Sequence, residues 1–243
     1  MKVIKLLSCL VFSICVISCR SGVQDQNDKL YSRHLQRNVE LRIISTAMPS
    51  KKQDLNLLLF NDSKSMQKIR AKEIIDSLNK NKEIQPLVLI GISGLQGFYG
   101  MEELEDSKAK QFKKYNNFII NELYPFAKKK TGIRKFNSVA ICGYGAAAIS
   151  SFDIAWNNDE KIGMVGMFEP ELGRNANDSS ILQTIYGLRK RPNLKIWIAA
   201  NENDSLSLRF KKMMDTKKSI SDCTFKTGND ADFASFLLWA FPK

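Results

Sequence analysis

The sequence predicts one α/β domain in which helices cover both faces of a mostly parallel sheet. Short apolar runs typical of buried strands recur along the chain, and segments with helical spacing separate them. Of the 243 residues, 44% are hydrophobic and 26% are charged, which is too apolar for a disordered protein. No internal repeat or long internal linker divides the chain, so a single domain is expected.

The predicted strands and helices alternate along the chain. Val39, Leu41 and Ile43 alternate with polar residues, as in a half-exposed strand, whereas continuous apolar runs favour strands covered on both faces. Further strands are predicted at residues 55–60, 86–92, 138–142, 163–168, 195–200 and 223–227. Apolar residues at three- and four-residue intervals predict helices at residues 68–78, 107–130, 146–156, 179–188, 206–215 and 232–241.

The first 18 residues have the pattern of a signal peptide. A short basic start precedes the apolar stretch 6–17, which is shorter than the ~20 residues that a membrane-spanning helix needs. Cys19 follows Val-Ile-Ser, which resembles the bacterial lipobox, where the cysteine is acylated, for example with palmitate, and becomes the mature N-terminus. An ordinary signal peptide and an uncleaved anchor are the alternatives.

The cysteine at the predicted cleavage site also predicts the cellular localisation of the protein. We expect a lipid-anchored protein of the bacterial cell envelope that contacts the bilayer through the acyl chains on Cys19, at either the inner or the outer membrane. Residues 19–30 are polar and without periodicity, as in a tether. Residues 31–243 are then the folded domain.

The net charge of +12 comes from dispersed lysines and arginines. Neither a zinc-finger spacing nor a ribonucleoprotein signature accompanies them, so we expect no nucleic-acid partner. Basic side chains on an envelope protein are better suited to anionic headgroups, acidic glycans or a neighbouring envelope protein.

Several stretches, in this order and spacing, are similar to one protein family. They are Tyr31-Ser32, residues 35–37 (LQR), 57–62 (LLLFND), 86–92 (PLVLIGI), 121–126 (NELYPF), 140–145 (AICGYG) and 166–172 (GMFEPEL). Together they resemble the esterase family that contains esterase D (S-formylglutathione hydrolase), the enterochelin esterases and the feruloyl esterases. The resemblance covers nearly all of the mature chain and implies an α/β-hydrolase fold.

In that family a sharp Gly-x-Ser-x-Gly turn after a central strand exposes the nucleophilic serine. The matching residues here are Gly143-Tyr144-Gly145-Ala146-Ala147, so Gly145 stands in the serine position. The small flanking residues still permit the turn, and glycine tolerates its unusual dihedral angles. Cys142 lies on the preceding strand, where we expect a buried, inert thiol.

The resemblance also locates the other two members of a catalytic triad. Asp204 takes the place of the family's acid, although a helix N-cap is an equal interpretation. Asn229 takes the place of the histidine, and an asparagine cannot act as a base near neutral pH. The only histidine of the chain, His34, precedes the first strand of the resemblance, and we interpret it as structural.

The resemblance implies a ligand pocket at the carboxyl edge of the sheet. Glu169 replaces a residue that is usually serine in the family, so carboxylates could bind a cation or a cationic or polyhydroxylated ligand there, or simply be solvated. We expect neither a metal nor a cofactor. The candidate pocket residues are Tyr144, Gly145, Glu169, Glu171, Asp204, Asn229 and Asp230.

The absence of two triad members predicts a non-catalytic esterase relative that serves as a ligand-binding or interaction module in the envelope. One alternative is a carboxylic-ester hydrolase with a non-standard catalytic set, in which Asp204 or Glu169 activates water. Another is a structural partner in an envelope complex.

Overall fold

The computed structural model describes residues 22–46, 55–95, 109–173, 180–188, 192–217, 220–228 and 232–243. One eight-stranded sheet runs through this part of the chain. Its strands are β1 (Gln24–Ser32), β2 (Arg37–Ser45), β3 (Asn56–Asn61), β4 (Leu87–Ile92), β5 (Val139–Tyr144), β6 (Met164–Phe168), β7 (Leu194–Ala199) and β8 (Ile220–Lys226).

The strand order across the sheet is β1-β2-β4-β3-β5-β6-β7-β8. Neighbouring strands from β4 to β8 are parallel, whereas β2 pairs antiparallel with both β1 and β4. The predicted mostly parallel α/β architecture is confirmed. The ends of β5, β6 and β7 therefore open on the same edge of the sheet.

Helices cover both faces of the sheet. The first face carries α1, α2 and α8, and a larger apolar cluster on the second face includes residues of the remaining helices. The helices are α1 (Ser63–Lys68), α2 (Ala71–Lys80), α3 (Ala109–Phe118), α4 (Tyr124–Thr131), α5 (Ala146–Asn157), α6 (Ser180–Gly187), α7 (Ser205–Asp215) and α8 (Phe233–Ala240). Within the described ranges, no helix is both long and apolar enough to cross a bilayer.

The prediction that residues 19–30 form a tether is partly wrong, because β1 begins at Gln24. This strand pairs with β2 over its whole length, and ion pairs hold it in place: Asp25 with Arg42 at 2.8 Å and Asp28 with Lys130 at 2.7 Å. The hydrogen bond from Lys130 lowers the pKa of the Asp28 carboxyl. Most residues of β1 are exposed, so the strand lacks the apolar pattern that would have revealed it.

Two predicted helices have interruptions. The segment predicted as one helix at 68–78 is the end of α1 followed by α2, with Arg70 in the left-handed region (φ 56°) between them. A π-helical turn, Ile119–Leu123, joins α3 to α4 within the long predicted helix. The turn still buries its apolar side chains, so the three- and four-residue spacing did not reveal it.

Candidate functional site

A sharp corner joins β5 to α5. Gly145 adopts φ 58° and ψ −125° between them, and its amide donates to the carbonyl of Phe168 at 3.0 Å. A Cβ atom on Gly143 would lie 2.6 Å from the carbonyl oxygen of Ala147, so only glycine fits where the helix passes the strand. The backbone therefore forms the turn that presents a nucleophile in hydrolases of this kind, with a hydrogen atom in place of the side chain.

A carboxylate occupies the space above this corner. A Cβ atom on Gly145 would lie only 2.8 Å from Oε1 of Glu171 and 3.4 Å from its carboxyl carbon. The amide of Glu171 donates to the carbonyl of Gly145 at 3.3 Å, and the next residue, Leu172, is buried. Gly145 and Glu171 are therefore in contact, and a side chain at Gly145 would have to displace the carboxylate.

A pocket of about 240 Å³ opens at the ends of β5, β6 and β7. Tyr144 and Phe168 form its aromatic wall, with ring centroids 4.7 Å apart and planes inclined by 15°. Burial raises the pKa of the Tyr144 phenol well above its usual range, and the nearby Glu169 adds to the shift. The remaining lining residues are Ala199, Ala200, Asn201 and Gly228.

Glu169 lies at the mouth of this pocket. Its amide donates to the carbonyl of Ala199 at 2.7 Å, and its backbone adopts φ 44°, which is unusual for a residue with a side chain. The side chain is exposed. Tyr144 and Glu169, two of the predicted pocket residues, thus line one cavity, and Gly145 follows Tyr144 directly.

The prediction that Asp204 belongs to the pocket is not supported by the structure, in which it is the N-cap of α7. Its carboxylate accepts hydrogen bonds from the amides of Leu206 and Ser207 at 3.1 and 3.3 Å and from the Ser207 hydroxyl at 2.6 Å. Asp204 is not among the residues that line the cavity. Amide donors near the start of a helix hold such a carboxylate, so the N-cap that the sequence offered for Asp204 is present.

Three candidates lie outside the described residues. They are Asn229 and Asp230, which follow the last strand, and Cys19, the expected lipidation site. Gly228, the residue before Asn229, does line the pocket, which indicates that the chain reaches the site at this point.

His34 is half-buried in the turn between β1 and β2. Since β4 and β3 lie between β2 and β5, three strand spacings of about 4.8 Å separate that hairpin from the Gly145 corner. In the described part of the chain, the His34 side chain forms no hydrogen bond or ion pair with a serine or cysteine.

Within the described ranges, neither the two cysteines nor the acidic residues form another reactive centre. Burial raises the pKa of the Cys142 thiol well above its ordinary value and that of Cys223 to about 12. Such thiols stay protonated and unreactive at neutral pH. Among the residues that the structure describes, no group of three His, Cys, Asp or Glu side chains could hold a metal ion.

A buried polar network lies beneath the corner, and the sequence reasoning did not include it. The Tyr115 hydroxyl donates to Oδ1 of Asn61 at 2.5 Å, and Nδ2 of Asn61 donates to the Ser151 hydroxyl at 2.7 Å. Ser151 in turn donates to the carbonyl of Ala147 at 2.8 Å. The network connects β3, α3 and the first turn of α5. In the sequence, the signal for this network is Asn61, a polar residue at the end of an apolar strand.

The sequence matches the model of the family described as "Putative esterase" over residues 32–228. The chain belongs to this esterase family. Among curated proteins, no sequence matches the chain.

Solved structures of esterases share the fold. A ferulic acid esterase superposes with a TM-score of 0.70 at 12% identity, covering 91% of this chain and 97% of its own. The siderophore hydrolase EstB from Aspergillus nidulans gives 0.68 at 11% identity, covering 96% and 99%. An IroE-like serine hydrolase from Shewanella oneidensis gives 0.65 at 13% identity, covering 89% and 78%. At these identities the likeness establishes the α/β-hydrolase fold that the sequence resemblance implied.

Proposed function

We propose that this member of the esterase family is a non-catalytic, ligand-binding protein of the bacterial cell envelope. The observation that carries the proposal is the corner at Gly145, which keeps the backbone of a nucleophile turn but has Glu171 Oε1 where the side chain would project. The only imidazole of the chain belongs to His34, in a hairpin on the far side of β3 and β4. Loss of nucleophile or base lowers hydrolase turnover by about six orders of magnitude.

Hydrolysis of p-nitrophenyl acetate and of a feruloyl ester tests the loss of catalysis. The wild-type chain should release product no faster than buffer, with an active ferulic acid esterase as the positive control. Gly145→Ser should also stay inactive, because the new side chain would have to displace the Glu171 carboxylate and the imidazole of His34 is too distant to activate the hydroxyl. Wild-type turnover that disappears on heating the protein would contradict the proposal.

Ligand binding is proposed for the pocket beside Tyr144. Its volume of about 240 Å³, its aromatic wall and the carboxylate of Glu169 suit a small cationic or polyhydroxylated group, such as part of an envelope glycan. Calorimetric titration of soluble glycan fragments should give binding that Tyr144→Ala abolishes. The exposed Tyr31, on β1, offers a matched control, and Tyr31→Ala should leave binding unchanged. Equal effects of the two variants would rule out this pocket as the ligand site.

A hydrolase with an unusual catalytic set is the second candidate, and one observation favours it. The Glu171 carboxylate lies over the corner at Gly145, and Ala146, which follows the nucleophile position, is exposed. A carboxylate there could accept a proton from water during attack on an ester. Activity in the wild type that Glu171→Gln removes, and Glu169→Gln preserves, would establish this candidate in place of the first.

Membrane attachment through Cys19 belongs to the same proposal. Cells grown with labelled palmitate should incorporate the label into the chain, and Cys19→Ser should abolish this and release the protein from the membrane fraction. Cys15→Ser, four residues earlier and inside the predicted signal peptide, is the matched control and should be labelled normally. Equal labelling of Cys19→Ser and the wild type would show that Cys19 is not the attachment point.

A further inference from the structure

A second cavity lies away from the corner, between α6 and α7. Its volume is about 460 Å³, within the range of small-molecule sites. Side chains from one face of each helix line it, with Leu182 and Tyr186 from α6 and Met213 from α7 supplying apolar surface. It shares no lining residue with the pocket beside Tyr144.

The apolar lining is open to solvent. Tyr186 is 75% exposed, although it is a large aromatic side chain, while Leu182 at the base of the groove is only 5% exposed. Water in contact with such a surface is released when an apolar group enters, which favours binding.

Two cations stand beside this apolar surface. Arg209 and Lys212 are exposed and line the groove from α7, three residues apart and thus on neighbouring positions of one helix face. In the described ranges neither forms an ion pair, whereas the adjacent Lys211 is paired with Asp215 at 2.5 Å. None of the described residues that line the groove is acidic.

We propose that the groove between α6 and α7 binds a small anionic amphiphile, a molecule with an apolar body and a carboxylate or similar head. The body would cover Leu182, Tyr186 and Met213, and the head would accept hydrogen bonds from Arg209 and Lys212. Arg209 and Lys212 are both positively charged and lie on the α7 wall. They therefore disfavour cationic ligands and orient the bound molecule with its head group towards α7. The inference is independent of the function proposed for the Gly145 corner.

Calorimetric titration of the full chain with octanoate tests this assignment, because octanoate is monomeric in water over the range needed. Octanoate should bind, while octyltrimethylammonium and 1-octanol, which have the same tail, should bind at least about tenfold more weakly. Higher salt should weaken octanoate binding, since the two cations are exposed. Equal affinity for the three probes would overturn the proposal.

Variants locate the site. Arg209→Gln and Lys212→Gln should each weaken octanoate binding about tenfold, and Tyr186→Ser should weaken it through lost apolar contact. Lys211→Gln removes a neighbouring charge that is outside the groove and should leave the affinity unchanged. Tyr144→Ala should also leave it unchanged, which keeps this test separate from that of the other pocket.

A further measurement distinguishes a free amphiphile from a membrane lipid as the ligand. Monomeric octanoate should bind and compete with 1-anilinonaphthalene-8-sulfonate, an anionic aromatic probe whose fluorescence rises in the groove. If the chain instead bound only vesicles containing anionic phospholipid, and no monomeric amphiphile, the groove would be a membrane contact and the proposal would be wrong. A Lys211→Gln effect as large as that of Lys212→Gln would also overturn it.

Discussion

Oε1 of Glu171 lies 2.8 Å from the point where a Cβ atom on Gly145 would be placed. The corner therefore has room for the carboxylate only because residue 145 has no side chain. In the fold of this esterase family, that point is where the nucleophile projects from the turn. The substitution that removes the nucleophile also gives Glu171 its position.

Gly145→Ala should destabilise the protein through the backbone. A residue with a side chain is strained at φ 58° and ψ −125°, and we expect the free energy of unfolding to fall by about 1–3 kcal/mol. Glu171 is exposed and flexible, so its carboxylate should move aside at little cost. Urea denaturation measures both effects.

Two matched variants test this interpretation of the corner. Gly132→Ala, at φ 70° with nothing near its Cβ position, should cost no more than Gly145→Ala. Adding Glu171→Ala should change the cost of Gly145→Ala by less than about 0.5 kcal/mol. A larger coupling would mean that the carboxylate is held rigidly over the corner.

Asp204→Ala should lower stability without affecting ligand binding. The carboxylate caps α7, and removing an N-cap costs about 0.5–2 kcal/mol. Asp204→Asn should retain most of the stability, because asparagine also caps helices. Thermal unfolding and the glycan titration provide the two readouts. Lost binding in a variant of normal stability would instead place Asp204 in the site.

Asn61→Ala should lower the stability of the protein more than the small size of the removed side chain suggests. The change removes the side-chain amide that accepts a hydrogen bond from the buried Tyr115 hydroxyl and donates one to the buried Ser151 hydroxyl, and we expect a loss of about 2–4 kcal/mol in unfolding free energy. Asn121→Ala is the control, since Asn121 is exposed and should alter stability by less than about 0.5 kcal/mol. Similar losses in the two variants would show that the network adds nothing to stability.

The buried thiols predict a loss of stability at high pH. Burial raises the pKa of Cys223 from 9.0 to about 12, so the unfolded chain releases this proton at a lower pH than the folded chain. The protonated Cys223 thiol makes its full contribution to the free energy of unfolding below pH 9, and this contribution is lost between pH 9 and about 12. Urea midpoints between pH 8 and pH 10.5 measure the decline. Cys223→Ser should make it shallower, and an unchanged slope would assign it to other groups.

Much of the sheet was predictable because its signals are local. The apolar runs at β3, β4 and β5 predicted buried strands, and the structure confirms them, since a parallel strand covered on both faces needs apolar residues at nearly every position. β1 was missed because an edge strand held by ion pairs and backbone hydrogen bonds has no such pattern.

The amino-acid sequence alone determined the parallel α/β architecture, the likeness to this esterase family, and the glycine where a serine would react. The architecture follows from residue type and periodicity, which neighbouring residues carry, whereas the other two follow from the resemblance of short motifs to those of the family. Only the tertiary structure decided that Glu171 fills the space over Gly145 and that two cations flank a groove between α6 and α7. Such contacts depend on where distant segments meet, and no local pattern encodes that meeting point.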